Sequence, residues 1–146
     1  MSRVFISAGT GAAIIVFAED HCPPHVHARH RGEGWIVRAR FSFADNGVAL
    51  LSIAPTGNIP ARRAVGRLLD EIAARLPACR LHWWTVNRTV CLTNQWATVP
   101  VAGTPVLVAP RTPRARQIVD AGYDPESRRL RATFLDGTVI DREILP

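Results

Sequence analysis

The chain predicts an α+β fold: an antiparallel sheet with one or two packed helices and a C-terminal β-meander. Three patterns carry that expectation. Apolar and polar residues alternate through the first half, one amphipathic stretch follows Asn58, and three strand-like runs near the end are parted by Asp-Pro and Asp-Gly turns. With 146 residues, 47% hydrophobic and 21% charged, the chain can bury an ordinary globular core. Residues 1–110 read as a histidine-motif α+β domain, and residues 111–146 as a small β-meander docked on the same body.

Val4 to Ser7 and Ile14 to Phe17 are β-branched and aromatic runs around Gly9-Thr10-Gly11, the pattern of an opening hairpin. Trp35 to Phe43 places Trp35, Val37, Ala39, Phe41 and Phe43 on one face and Ile36, Arg38, Arg40 and Ser42 on the other. Val48 to Ile53 is the next strand. Asn58 to Pro60 then opens a helix whose stripe is Val65, Leu68, Leu69, Ile72, Ala73 and Leu76, with Pro77 closing it. Its Arg62, Arg63 and Arg67 read as a solvated face, an auxiliary phosphate contact being the sharper alternative. From Leu81 to Trp96 the threonines and valines favour strand while the apolar spacing is nearly helical, and residues alone leave that segment open. Pro100 to Pro113 reads as a connector with one short apolar run, Val106 to Ala109. Ile118 to Tyr123, Arg129 to Leu135 and Thr138 to Ile144 form the meander.

All 18 basic residues are arginine, against 12 acidic ones, for a net charge of +6. Codon bias explains the missing lysines as well as function does, but the positive balance still favours an anionic partner such as RNA. Cys22, Cys79 and Cys91 have unrelated spacings and read as free thiols in a reducing cytoplasm. The first residues lack a leader pattern and the longest apolar run, Ala12 to Ala18, is too short to span a bilayer. A cytoplasmic protein without a membrane partner is therefore expected.

Four of the five histidines, His21, His25, His27 and His30, fall within ten residues. If residues 25–30 pair with 35–40 across the loop Arg31-Gly32-Glu33-Gly34, then 30 faces 35, 29 faces 36, 27 faces 38 and 25 faces 40. That register gathers His25, His27, Arg29, Arg38 and Arg40 on one side and turns His30 toward Trp35. The three guanidinium groups repel a cation and attract phosphate, so an anion site is favoured over a metal site, with Asp20, Glu19 and Glu33 as the acids able to reverse the preference. Cys22 is a weaker candidate as ligand or nucleophile. His30 and His82 read as structural, and Trp35, Trp83, Trp84 and Trp96 as core before base-stacking platforms.

The run Asp20-His21-Cys22-Pro23-Pro24-His25-Val26-His27 strongly resembles the D-H-x-P-P-H-x-H signature of the bacterial family known as domain of unknown function 4160. Gly57-Asn58-Ile59-Pro60 is similar to that family's G-x-L-P step, and Trp84 to Trp96 to its W…H-R…L…W helix, with Asn87 in place of the usual histidine and about a dozen extra residues around Arg75 to His82. The resemblance implies a helix over Leu81 to Trp96. Arg129 to Gly137 is similar to the L-x-V-x-F-x-D-G strand pair of domain of unknown function 2442. Together the two likenesses imply a toxin-antitoxin context.

The leading expectation is a toxin-like RNA-binding protein with metal-independent cleavage as its candidate chemistry and no cofactor. His25 and His27 would be acid and base, His21 with Asp20 a supporting pair, and Arg29, Arg38 and Arg40 the phosphate clamp. One alternative is a zinc-like divalent metal held by His21, His25 and His27, with Asp20 as an additional candidate ligand. Another is a non-catalytic antitoxin-like or regulatory module that binds a cognate toxin or antitoxin protein.

Overall fold

The computed structural model describes residues 1–144. It divides into two compact units, residues 1–42 with 46–88, and residues 43–45 with 89 onward. The first carries the histidine motif. Its strands are β1 (Ser2–Ile6), β2 (Ala13–Val16), β3 (His25–His30), β4 (Trp35–Arg40) and β5 (Ala49–Ala54), antiparallel and in sequential order. Two helices follow, α1 (Arg62–Ala73) and α2 (Leu76–Asn87). The architecture is thus α+β, as the patterning predicts.

Alternation dictates the faces of this sheet. Ile14, Val16, Val26, Ala28, Val37 and Ala39 are all fully buried on one side. Phe41 continues that side, and its ring meets Trp83 of α2 edge-on at 6.2 Å. Burial of such large apolar groups supplies most of the favourable free energy here. The β3–β4 loop closes with the Gly34 N–H donating to the His30 carbonyl at 2.8 Å, and Gly34 takes φ +73°, which a residue with a Cβ adopts only under strain.

Several expectations are corrected downstream. Pro77 does not end a helix; it sits in the first turn of α2, where its missing N–H would have no intrahelical partner anyway. The break falls earlier, at Ala74 and Arg75. Helix does not run from Leu81 to Trp96 either. It stops at Asn87, Arg88 caps it in the left-handed region at φ 56°, and residues 88–95 are irregular. Trp96 opens a strand.

In the second unit, β6 (Trp96–Thr98), β7 (Val106–Val108), β8 (Arg116–Asp124), β9 (Arg129–Phe134) and β10 (Val139–Glu143) form a sheet ordered β10-β9-β8-β6-β7. The meander is present as expected, and two further strands extend it. One of them, β7, is the apolar run inside the presumed connector. Ile118 of β8 and Leu130, Ala132 and Phe134 of β9 are buried, and Phe43 meets Tyr123 at 5.0 Å.

Cys22 and Cys91 are each disulfide-bonded, which corrects the reading of three free thiols. Among the described residues only Cys79 is free, and burial pushes its thiol up to about 12, so it stays protonated and inert. No helix is long and apolar enough to cross a membrane.

Arg80, on α2, is 1% exposed. Its Nε donates to the Ser42 carbonyl at 2.9 Å and an amino nitrogen donates to Asn46 Oδ1 at 3.1 Å, so one guanidinium holds both ends of the short segment 43–45. Replacing it by methionine keeps the volume and removes both of these hydrogen bonds. Arg80→Met is expected to lower stability by about 2 kcal/mol, read as a reduced urea midpoint with an unchanged slope. An unshifted midpoint would show that this grip contributes nothing.

Candidate metal centre

The register of β3 against β4 is the expected one: His25 faces Arg40, His27 faces Arg38, Arg29 faces Ile36 and His30 faces Trp35. His30 stacks on Trp35, with ring centroids 5.1 Å apart at 33°. Arg29 and Arg40 are exposed, while Arg38 is half-buried with its Nε donating to Ser52 Oγ at 2.7 Å. The side chains therefore lie on the strands as anticipated, but the imidazoles do not form an open basic patch. His25 is 1% exposed and the His27 side chain 14%.

Asp20 makes the difference. Phe17 to Asp20 form a tight turn in which Glu19 adopts φ 63° and the Phe17 N–H donates to Asp20 Oδ2 at 3.1 Å. The turn places the carboxylate over β3. Its Oδ2 lies 3.2 Å from His27 Nε2, and its Oδ1 3.6 Å from His25 Nε2. One ligand atom from each of Asp20, His25 and His27 falls within 4.8 Å of the others.

The hydrogen bonds settle what those atoms can do. His25 Nδ1 lies 2.8 Å from the Pro23 carbonyl, an acceptor only, so Nδ1 carries the proton and Nε2 presents its lone pair. That Nε2 is buried without a hydrogen-bond partner, because 3.6 Å to the carboxylate is too long for one. A buried acceptor left unmatched costs about 1–3 kcal/mol. His27 is held below its ordinary value of 6.5, chiefly by burial and also by nearby His25 and Arg38, with Asp20 opposing; its ring is neutral at pH 7, and its Nε2–H donates to Asp20 Oδ2 at 3.2 Å, a proton that a metal ion would have to displace.

Metal geometry fits these separations. Two ligands each ~2.0–2.1 Å from a tetrahedral ion lie roughly 3.4 Å apart, close to the Asp20–His27 and Asp20–His25 distances of 3.2 and 3.6 Å, with all three ligand atoms within 4.8 Å of one another. Two imidazoles, a carboxylate and open positions form a ligand set used for zinc and for non-haem iron. Among the acids able to overturn the electrostatic objection, Asp20 is the one in position. Glu33 is instead engaged by Trp35 Nε1 at 2.7 Å, and Glu19 is exposed. A carboxylate at ligand distance outweighs a guanidinium whose stem starts about 5 Å away across the ladder.

His21 belongs to the fringe of the site. It is exposed, its ring is 5.7 Å from that of His25, and it falls outside the close trio. The sequence reading missed two supports. Phe17 packs edge-on against His27 at 4.7 Å, and Asn87, the last residue of α2, donates to the Phe17 carbonyl at 3.2 Å. The only signal for Asn87 was its departure from the related motif; Phe17 had none.

No family model, curated protein or solved structure matches the chain, so its likeness to the two domain families rests on the quoted motif residues.

A consequence of the His27 environment is measurable. The unfolded chain binds a proton at His27 near pH 6.5, whereas the folded ring does so only at lower pH. This contribution to stability is complete above about 6.5 and is lost as pH falls through the window down to the folded value. Urea midpoints measured at neutral and mildly acidic pH should converge in His27→Gln relative to the parent protein. Equal pH sensitivity in both would refute the assignment.

Proposed function

We propose that the protein is a metal-dependent hydrolytic enzyme acting on an anionic substrate of the RNA class, with Asp20, His25 and His27 holding a divalent ion of zinc type. The observation that carries this reading is the orphaned, buried Nε2 of His25, aimed at a carboxylate and flanked by a second neutral imidazole. A bound ion would polarise a phosphoryl oxygen and lower the pKa of its water to about 7.

The chain's own groups set up the rest. The Pro23 carbonyl fixes the His25 tautomer, and Asp20 supplies the negative charge that lets a cation sit beside Arg38. His21 lies exposed at the rim, its ring 5.7 Å from that of His25. Arg29 and Arg40 lie along the same two strands and suit the phosphate contacts of a polyanion. The metal-free mechanism fits less well, because it asks His25 to trade protons while one nitrogen is engaged by a carbonyl and the ring is closed off from solvent. The toxin-like context stays part of the proposal on motif resemblance.

Metal analysis of the purified protein is the test. About one divalent ion per chain should be present or taken up, chelation should remove it, and Asp20→Asn should weaken zinc binding at least ~100-fold, the upper end of what losing a mere outer-shell partner costs. RNA cleavage should vanish with the ion and return with it. A chain that refuses zinc, manganese and iron, or one that cleaves RNA undiminished in chelator, overturns the reading.

A further inference from the structure

Beside the metal ligands the same sheet carries a groove of about 570 Å³. Its walls hold Arg3, Arg29, Arg31 and His30, and Ala13 and Ile15 contribute to its lining. No carboxylate is among the described residues that line it. Ile15 pairs with His27 across β2 and β3, and Arg29 lies two positions along from His27, so the groove begins on the face that bears the metal ligands.

The polarity of this groove is set by fixed hydrogen bonds. His30 Nδ1 accepts the Glu33 N–H at 2.9 Å, and a backbone N–H is a donor only. The neutral ring therefore carries its proton on Nε2, which faces the turn at Gly11 on the groove wall: a Cβ there would stand 3.9 Å from it. The Glu33 carboxylate, the nearest acid in that loop, is taken by Trp35 Nε1. Three exposed guanidinium groups and one N–H donor thus converge around a partly apolar floor. Phosphate satisfies the donors, and a sugar or base covers Ile15 and Ala13.

We infer that this groove is a binding site for nucleotide phosphates, delivering a phosphodiester of single-stranded RNA to the neighbouring metal ligands. The inference supplies a substrate class for the reading proposed above and rests on it for the chemistry, but not for binding.

Binding is therefore measured on the full chain in chelator, with a labelled hexauridylate as probe and unlabelled uridine monophosphate as competitor. Arg29→Gln with Arg31→Gln should weaken the probe about tenfold or more and flatten the salt dependence by about 1.4 in log–log slope, two phosphate contacts at ~0.7 each. Arg62→Gln with Arg63→Gln, equal in charge change but on the exposed face of α1, should leave affinity within about twofold. Because the probe is bound in chelator, its affinity is read independently of zinc uptake by the parent chain, which separates a failed groove from a failed metal site. Competition by the mononucleotide at similar concentration would identify a single phosphate subsite, and weak competition a strand-length one; both support the groove. Equal losses in the two arginine pairs, or no loss in either, would overturn it.

Discussion

The bond from His25 Nδ1 to the Pro23 carbonyl is the constraint on which the site depends. A neutral imidazole that donates to a carbonyl on one side offers a lone pair on the other. In this protein the lone pair meets a carboxylate at 3.6 Å, an arrangement of two acceptors that repel unless something positive lies between them. A proton on His25 would need a shorter contact to be well used. The spacing suits an ion.

That geometry is built by the turn from Phe17 to Pro24 and not by the strand alone. β3 delivers His25 and His27 to one face because alternate residues share a side. The carboxylate arrives only because Glu19 takes a left-handed conformation and the Phe17 N–H ties back to Asp20. The turn is held in its place by α2, whose final residue Asn87 grips the Phe17 carbonyl while the Phe17 ring closes over His27. Helix end, turn and strand converge on three ligand atoms. Loss of any one support would enlarge the site before it unfolded the sheet.

These dependencies explain what could be read in the residues. The β3–β4 register was legible, since a four-residue glycine loop and a strict alternation from Trp35 leave one pairing that buries Val37 and Ala39. The meander was legible for the same reason. Asp20 was legible as an acid near the histidines, but not as their neighbour, because its position depends on a left-handed turn that no local propensity announces. The stretch after Asn87 misled for a related cause: Arg88, Cys91 and Asn94 all take positive φ, so a helical apolar spacing continued past the point where the backbone had left the helix. Pro77 gave a stop signal that position-specific chemistry turned into a start. The bonded state of Cys22 and of Cys91 is not encoded by spacing along the chain.

The proposed cation site, in a chain of net charge +6, looks contradictory until the charges are placed. Arg38 spends its Nε on Ser52, whereas Arg29 and Arg40 are exposed at neighbouring positions of the same two strands. A divalent ion held by one carboxylate and two neutral rings keeps a net charge of about +1, and the guanidinium groups beside it add to a single positive field. Such a field destabilises the bare ion–protein pair slightly. In the function proposed above, it would favour an anionic substrate, which could meet both the ion and the arginines. The arginines that oppose a metal in isolation are therefore compatible with the proposed metal site if its substrate is anionic.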